Sequence, residues 1–76
     1  MKPAQLTQTI SDTLDSLRKS ERKVAEFVLK EPLGVIRMRI VDLARQAAVS
    51  EPTVVRFCRA VGCHGFQDFK LALAQQ

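Results

Sequence analysis

The sequence predicts an all-α domain, a compact arrangement of five or six helices built around a helix-turn-helix. Three observations carry this. Apolar residues recur every three or four positions in successive short runs, and no stretch alternates with the period of two that a half-buried strand needs. Residues Ile40 to Gly62, IVDLARQAAVSEPTVVRFCRAVG, join two such runs across a tight turn. Seventy-six residues make one small domain, which buries only about 60% of its unfolded surface and leaves little room for a deep active site.

From the N-terminus, Leu6, Ile10, Leu14 and Leu17 share one helical face while Asp12 and Asp15 lie on others, so an amphipathic helix is expected from Ala4 to about Leu17. Ser20 is a candidate N-cap for a second helix, with Glu21 favourably placed in its first turn. Val24, Ala25, Val28 and Leu29 continue that helix until Glu31 and Pro32 stop it. A tight Arg18-Lys19-Ser20 turn would then join two antiparallel helices. Arg18, Lys19, Arg22 and Lys23 gather four positive charges around it, either as a solvated surface or as a phosphate contact.

Between Leu33 and Arg39, Gly34 weakens a helix, yet Val35, Ile36 and Met38 are too apolar for a plain loop. A short helix or turn packed on the core is expected. Arg39 stands where the Ile40 helix would want a Ser, Thr, Asp or Asn cap, so that start is poorly signalled, and Arg37 and Arg39 become phosphate candidates. Ile40, Leu43, Ala44 and Ala47 form the apolar face of the first hairpin helix. Val49 breaks the phase and Ser50 caps a second helix from near Glu51, with Pro52 tolerable in a first turn whose N–H groups lack helical partners. Val54, Phe57, Cys58 and Val61 face inward, and Gly62 sits where a left-handed C-terminal cap is expected. After Cys63-His64-Gly65, Phe66, Phe69 and Leu73 share one face of a last helix running to about Ala74, and the two rings read as core anchors.

Twelve Lys and Arg against eight Asp and Glu give a net charge of +4 and favour a polyanionic partner. The two halves of the chain are equally basic, so a footprint must come from the folded arrangement. A helix fits the major groove of double-stranded DNA, where its outward side chains meet a pattern that differs for each base pair. Placing Val54 inward at 100° per residue turns Pro52, Arg56, Arg59 and Cys63 outward, with Thr53 and Val55 flanking. Arg56 is the candidate for a bidentate guanine contact. Ser50 and the first amides of its helix suit a phosphate. Thr53 is a base or phosphate donor, Pro52 and Val55 are partners for thymine methyls, and Glu51 either accepts from cytosine or complements the helix dipole. Arg59, Arg39, Lys19 and Lys70 are further phosphate candidates. The rival reading is a helical interaction or dimerisation module using Val35, Ile36 and Met38 without DNA.

Other chemistries find little support. With no Trp or Tyr, a platform for stacking single-stranded bases is not expected. His64 is the sole histidine and has no acidic partner or nucleophile beside it, so no enzyme is expected. Cys58 faces inward and structural zinc sites take four ligands, so no metal or other cofactor is expected. Five residues along a helix hold Cys58 and Cys63 beyond the roughly 7 Å disulfide limit unless the helix ends between them, which fits reduced thiols and a cytoplasmic location. No signal-like or membrane-spanning apolar run is present, so neither export nor membrane insertion is expected.

The stretch VSEPTVVRFCRAVGCHGFQDFKLALAQ, Val49 to Gln75, resembles the N-terminal DNA-binding domain of RpiR-type bacterial transcriptional regulators. LRKSERKVAEFVL, Leu17 to Leu29, is similar to the same family's preceding helix pair, and within the family the chain looks most like HexR-type regulators of hexose metabolism. Arg39 replaces the usual Ser or Thr before Ile40, and Val55 stands where HexR-like sequences tend to have Asn, which alters the expected adenine contact. The resemblance implies transcription regulation in sugar-phosphate or central carbon metabolism. It also implies a palindromic operator, a homodimer in the full-length protein, and a sugar-isomerase-type domain beyond Gln76 that takes a sugar-phosphate effector.

Overall fold

The computed structural model describes residues 5–76, and among them it has six α-helices. These are α1 (Leu6–Thr13), α2 (Lys19–Lys30), α3 (Pro32–Ile36), α4 (Ile40–Ala47), α5 (Glu51–Ala60) and α6 (Phe66–Gln75). The expected all-α class and helix-turn-helix are both present. Ala4, the expected start of the first helix, lies outside the described residues.

That first helix is shorter than its apolar spacing suggested. α1 stops at Thr13 and a 3-10 turn covers Leu14–Ser16. Thr13 Oγ1 donates to the Thr9 carbonyl at 2.6 Å and Ser16 Oγ to the Thr13 carbonyl at 2.8 Å. Such hydroxyls compete with the helical ladder and help to end it. Leu17 and Arg18 are then extended, at ψ 149° and 159°, which carries Leu17 into the core. The reversal therefore sits at Leu17 and Arg18, and α2 starts at Lys19 with Arg18 as its cap. The expected Ser20 cap is a correction: Ser20 lies inside the first turn and makes no capping bond.

α2 is the central element and packs against α1, α3, α4 and α5. Its Val24, Ala25 and Val28 are wholly buried. Pro32 opens α3, where a missing N–H costs nothing. Val35 enters the core, Ile36 and Met38 pack against it half-buried, and Leu33 stays 78% exposed. α6 closes the domain against α3, α5 and α1, and Phe69 meets Phe57 edge to face with centroids 5.4 Å apart and planes at 70°. Burying each of these rings contributes about 2–3 kcal/mol. The first turn of α1 also meets the residue that follows α6, because Gln76 Oε1 accepts the otherwise uncapped Thr7 N–H at 2.9 Å.

Both helices of the hairpin end in paired 6→1 and 5→2 bonds. After α5, the Cys63 N–H donates to the Cys58 carbonyl at 2.9 Å and the Gly62 N–H to the Arg59 carbonyl at 3.0 Å, with Gly62 at φ 95° as expected. After α4, the Val49 N–H donates to the Ala44 carbonyl at 2.9 Å and the Ala48 N–H to the Arg45 carbonyl at 3.2 Å. Here the left-handed position, φ 60°, is occupied by an alanine. A Cβ in that region carries about 1–2 kcal/mol of strain, and Ala48 is exposed, so no packing depends on its methyl group. Ala48→Gly is therefore expected to stabilise the domain by about 0.5–1 kcal/mol, part of the gain being offset by the freer unfolded chain. Urea unfolding would show a higher midpoint at unchanged slope.

Candidate nucleic-acid interface

Ser50 closes the turn and starts α5. Its Oγ accepts the Thr53 N–H at 3.3 Å, the first-turn bond expected of a serine cap. Pro52 has no N–H and the Val54 N–H reaches the Ser50 carbonyl at 3.3 Å, which leaves Glu51's amide as the free donor of that turn among the described residues. The anion-binding potential of this helix start is thus one amide and the dipole rather than an open ring of donors.

α5 buries Val54, Phe57 and Cys58 and exposes Glu51, Pro52, Arg56, Arg59 and Ala60, with Val55 half-buried between the faces. Two sequence placements are corrected. Cys63, projected outward on helical phase, is 9% exposed, because α5 ends at Ala60 and the Gly62 turn swings it inward. Thr53 is only 4% exposed. Its Oγ1 shares a 2.9 Å hydrogen bond with Ser50 Oγ and accepts from Arg56 Nη2 at 3.1 Å. Thr53 supports the exposed face from beneath.

Arg56 is also met from outside the hairpin. Its Nε lies 3.6 Å from Glu21 Oε2, an ion pair longer than a hydrogen bond. The Glu21 side chain is 10% exposed and that of Arg56 is 55% exposed, so a nearly buried carboxylate anchors a half-exposed guanidinium. Burying a carboxylate without a partner costs several kcal/mol, which gives Glu21 a reason to be opposed by a cation. Sequence reasoning gave Glu21 only a role with the helix dipole. The overlooked signal is that Glu21 precedes Val24, Ala25 and Val28 by three, four and seven positions, and so lies on the apolar face of α2.

The remaining candidates are spread out. Lys19 and Arg22 are exposed in the same turn as Glu21. Arg59 Nε donates to the His64 carbonyl at 3.4 Å, over the turn that follows α5. Lys70 Nζ donates to the Met38 carbonyl at 2.9 Å and sits 4.9 Å from the centre of the Phe66 ring, so it braces α6 against the segment before α4. Arg39 is held as well. Its Nε and Nη2 meet the Asp42 carboxylate at 3.1 and 3.3 Å, and Asp42 Oδ2 accepts the Arg39 backbone N–H at 3.0 Å. Asp42 thus supplies from within α4 the start signal that Arg39 lacks. Asp68 does likewise for α6, accepting the His64 backbone N–H at 2.9 Å.

Both cysteines are unpaired and buried; burial, reinforced by Cys63, pushes the Cys58 thiol up to about 12. Cys63 is raised by burial and then by Asp68. No group of three or more His, Cys, Asp or Glu side chains among the described residues is placed to hold a metal ion. No helix of the described residues is long and apolar enough to cross a membrane.

An outward helix, capped by serine and preceded by a four-helix-wide scaffold whose hairpin turns through Ala48, defines a helix-turn-helix domain of the DNA-binding class. The model of the helix-turn-helix domain of the rpiR family matches residues 4–76, and the chain belongs to that family. It is 51% identical over 70 residues to the HTH-type transcriptional regulator HexR of Pseudomonas aeruginosa, covering 92% of this chain and 25% of that protein. It is also 51% identical over 67 residues to the bifunctional protein glk of Paraburkholderia xenovorans, covering 88% of this chain and 10% of that one. The chain therefore spans a tenth to a quarter of the length of these relatives. Among solved structures, the N-terminal domain of the candidate transcriptional regulator ybbH from Bacillus subtilis superposes with a TM-score of 0.87 at 32% identity, covering 93% of this chain and 88% of that one. The Vibrio vulnificus NanR protein complexed with ManNAc-6P gives 0.91 at 38% identity, covering 93% of this chain and 27% of that one. The chain is a DNA-binding domain of the transcription-regulator type.

The Arg39 and Asp42 pair makes stability depend on pH. The Arg39 side-chain bond, followed by its backbone N–H, holds the Asp42 carboxyl below the usual carboxylate range. A carboxyl lowered on folding stabilises above its unfolded value, and that contribution fades as pH falls through the lowered folded value. Asp42→Asn is expected to flatten the acid side of the stability curve, read as urea midpoints from neutral to acidic pH.

Proposed function

We propose that this domain reads double-stranded DNA sequence-specifically through α5. The observation that carries the proposal is Arg56, which stands on the exposed face of α5 yet is held in place by Thr53 and Glu21. A pre-held guanidinium suits bidentate recognition of guanine O6 and N7. Pro52 and Val55 flank it as apolar neighbours for thymine methyls, and Glu51 borders the groove end. Phosphates are met by Ser50 with the Glu51 amide, by Arg59, and by Lys19 and Arg22 at the start of α2, which the Glu21 and Arg56 pair joins to the middle of α5. Arg39 and Lys70, held by Asp42 and by the Met38 carbonyl, are secondary contributors.

The whole protein is proposed to regulate sugar-phosphate or central carbon metabolism from the cytoplasm. Half-identity to HexR and the likeness to NanR bound to a sugar phosphate support this, as does the greater length of those relatives. In this reading a separate sugar-isomerase-type domain binds the effector, the regulator acts as a homodimer, and the operator is palindromic with half-sites about one helical turn apart. The domain itself is proposed to be non-enzymatic. His64 is exposed, and its contacts here are those of its backbone N–H and carbonyl. The rival interaction module is disfavoured because Val35 is wholly buried and Ile36 and Met38 pack on the core.

Two measurements separate the roles. Arg56→Ala should lower affinity for duplexes selected from a random pool by roughly 1–3 kcal/mol and relax one operator position; equal binding of both proteins would remove Arg56 from the reading face. Lys19→Ala or Arg22→Ala should weaken all duplexes alike and flatten the salt dependence by about one unit of slope. An unchanged slope would return these side chains to solvent.

A further inference from the structure

The guanidinium of Arg56 has two edges that could pair with a base. Both nitrogens of the side edge, Nε and Nη2, face acceptors of the protein: Nε stands at ion-pair distance, 3.6 Å, from Glu21 Oε2, and Nη2 donates to Thr53 Oγ1 at 3.1 Å. Among the described residues Nη1, at the end edge, meets no acceptor, and Nη2 keeps one further hydrogen beside it. Glu21 is anchored from another helix, with its side chain 10% exposed, while Thr53 is anchored beneath α5. The two contacts come from different elements and fix the plane of the fork.

We propose that Glu21 is a specificity-determining positioning residue: it holds the side edge of Arg56 so that only the Nη1 and Nη2 end meets guanine, and it keeps phosphate away. This rests on the reading of α5 as the base-reading helix. The second effect follows from charge. A lone surface guanidinium binds a phosphate oxygen as readily as a base edge, since both accept hydrogen bonds and the phosphate adds an opposite charge. A carboxylate beside the guanidinium repels the phosphate and leaves the neutral guanine acceptors unpenalised. Glu21 therefore lowers non-specific affinity while sharpening discrimination, a combination that a purely structural side chain would not produce.

The test uses duplexes selected from a random pool by the 76-residue chain, each then altered one base pair at a time. Affinities of wild type, Arg56→Lys, Glu21→Gln and the double variant are compared, with unfolding midpoints alongside. Arg56→Lys should lose about tenfold discrimination at one G·C pair, and Glu21→Gln should lose several-fold at the same pair. The double variant should lose no more than Arg56→Lys alone, as expected of two side chains acting through one contact. Glu21→Gln should also bind random duplex several-fold more tightly at low salt, with a steeper salt slope by about one unit. If Arg56→Lys discriminates as wild type does, the base-reading role of Arg56 fails and the inference with it. If Arg56→Lys loses discrimination while folded Glu21→Gln keeps it, or weakens all duplexes alike, the inference alone is overturned. Should Glu21→Gln not fold, Glu21→Asp takes its place: it should lose discrimination at the same pair without the gain in random binding, and unaltered discrimination would overturn the inference.

Discussion

A ten-residue helix can bury one face only, and the arrangement of this domain follows from which face α5 buries. Val54, Phe57 and Cys58 turn inward against α2, α4 and α6, so Pro52, Arg56 and Arg59 are left outside. α2 is what makes that burial complete. Its Val24, Ala25 and Val28 fill the space behind both hairpin helices, and α6 closes the other side through the Phe57 and Phe69 contact. Each surrounding helix is too short to stand alone and gains its stability from packing.

The same packing brings a carboxylate into an apolar surface. Glu21 occupies a position on α2 that a hydrophobic residue would fill at lower desolvation cost. In the first turn of α2 it complements the helix dipole, and its ion pair with Arg56 joins that turn to the exposed face of α5. Stability and recognition are thus linked through one side chain. The turn between α4 and α5 carries a comparable compromise, a left-handed alanine where glycine would be unstrained.

Local signals that involve neighbouring residues were legible. Ser50 capped α5 as its chemistry suggests, Pro32 ended one helix by opening the next, and Gly62 took the left-handed position. Signals that compete with distant packing were less so. Ser20 is a good cap by type, but Leu17 had to reach the core, and the extended Leu17 and Arg18 moved the helix start to Lys19. Arg39 is a poor cap by type, yet Asp42 supplies the missing acceptor. Helical phase misplaced Cys63 because phase has no meaning beyond the Gly62 turn.

By itself the sequence determined the helical class, the two inward faces of the hairpin, the cap at Ser50 and the outward direction of Arg56. These depend on the 3.6-residue period and on contacts within a few positions. Only the tertiary structure decided that Thr53 is a buried support and that Lys70 braces α6. It also decided that Glu21, far away in the chain, grips Arg56. Such pairings depend on how helices cross, and no local period carries that information.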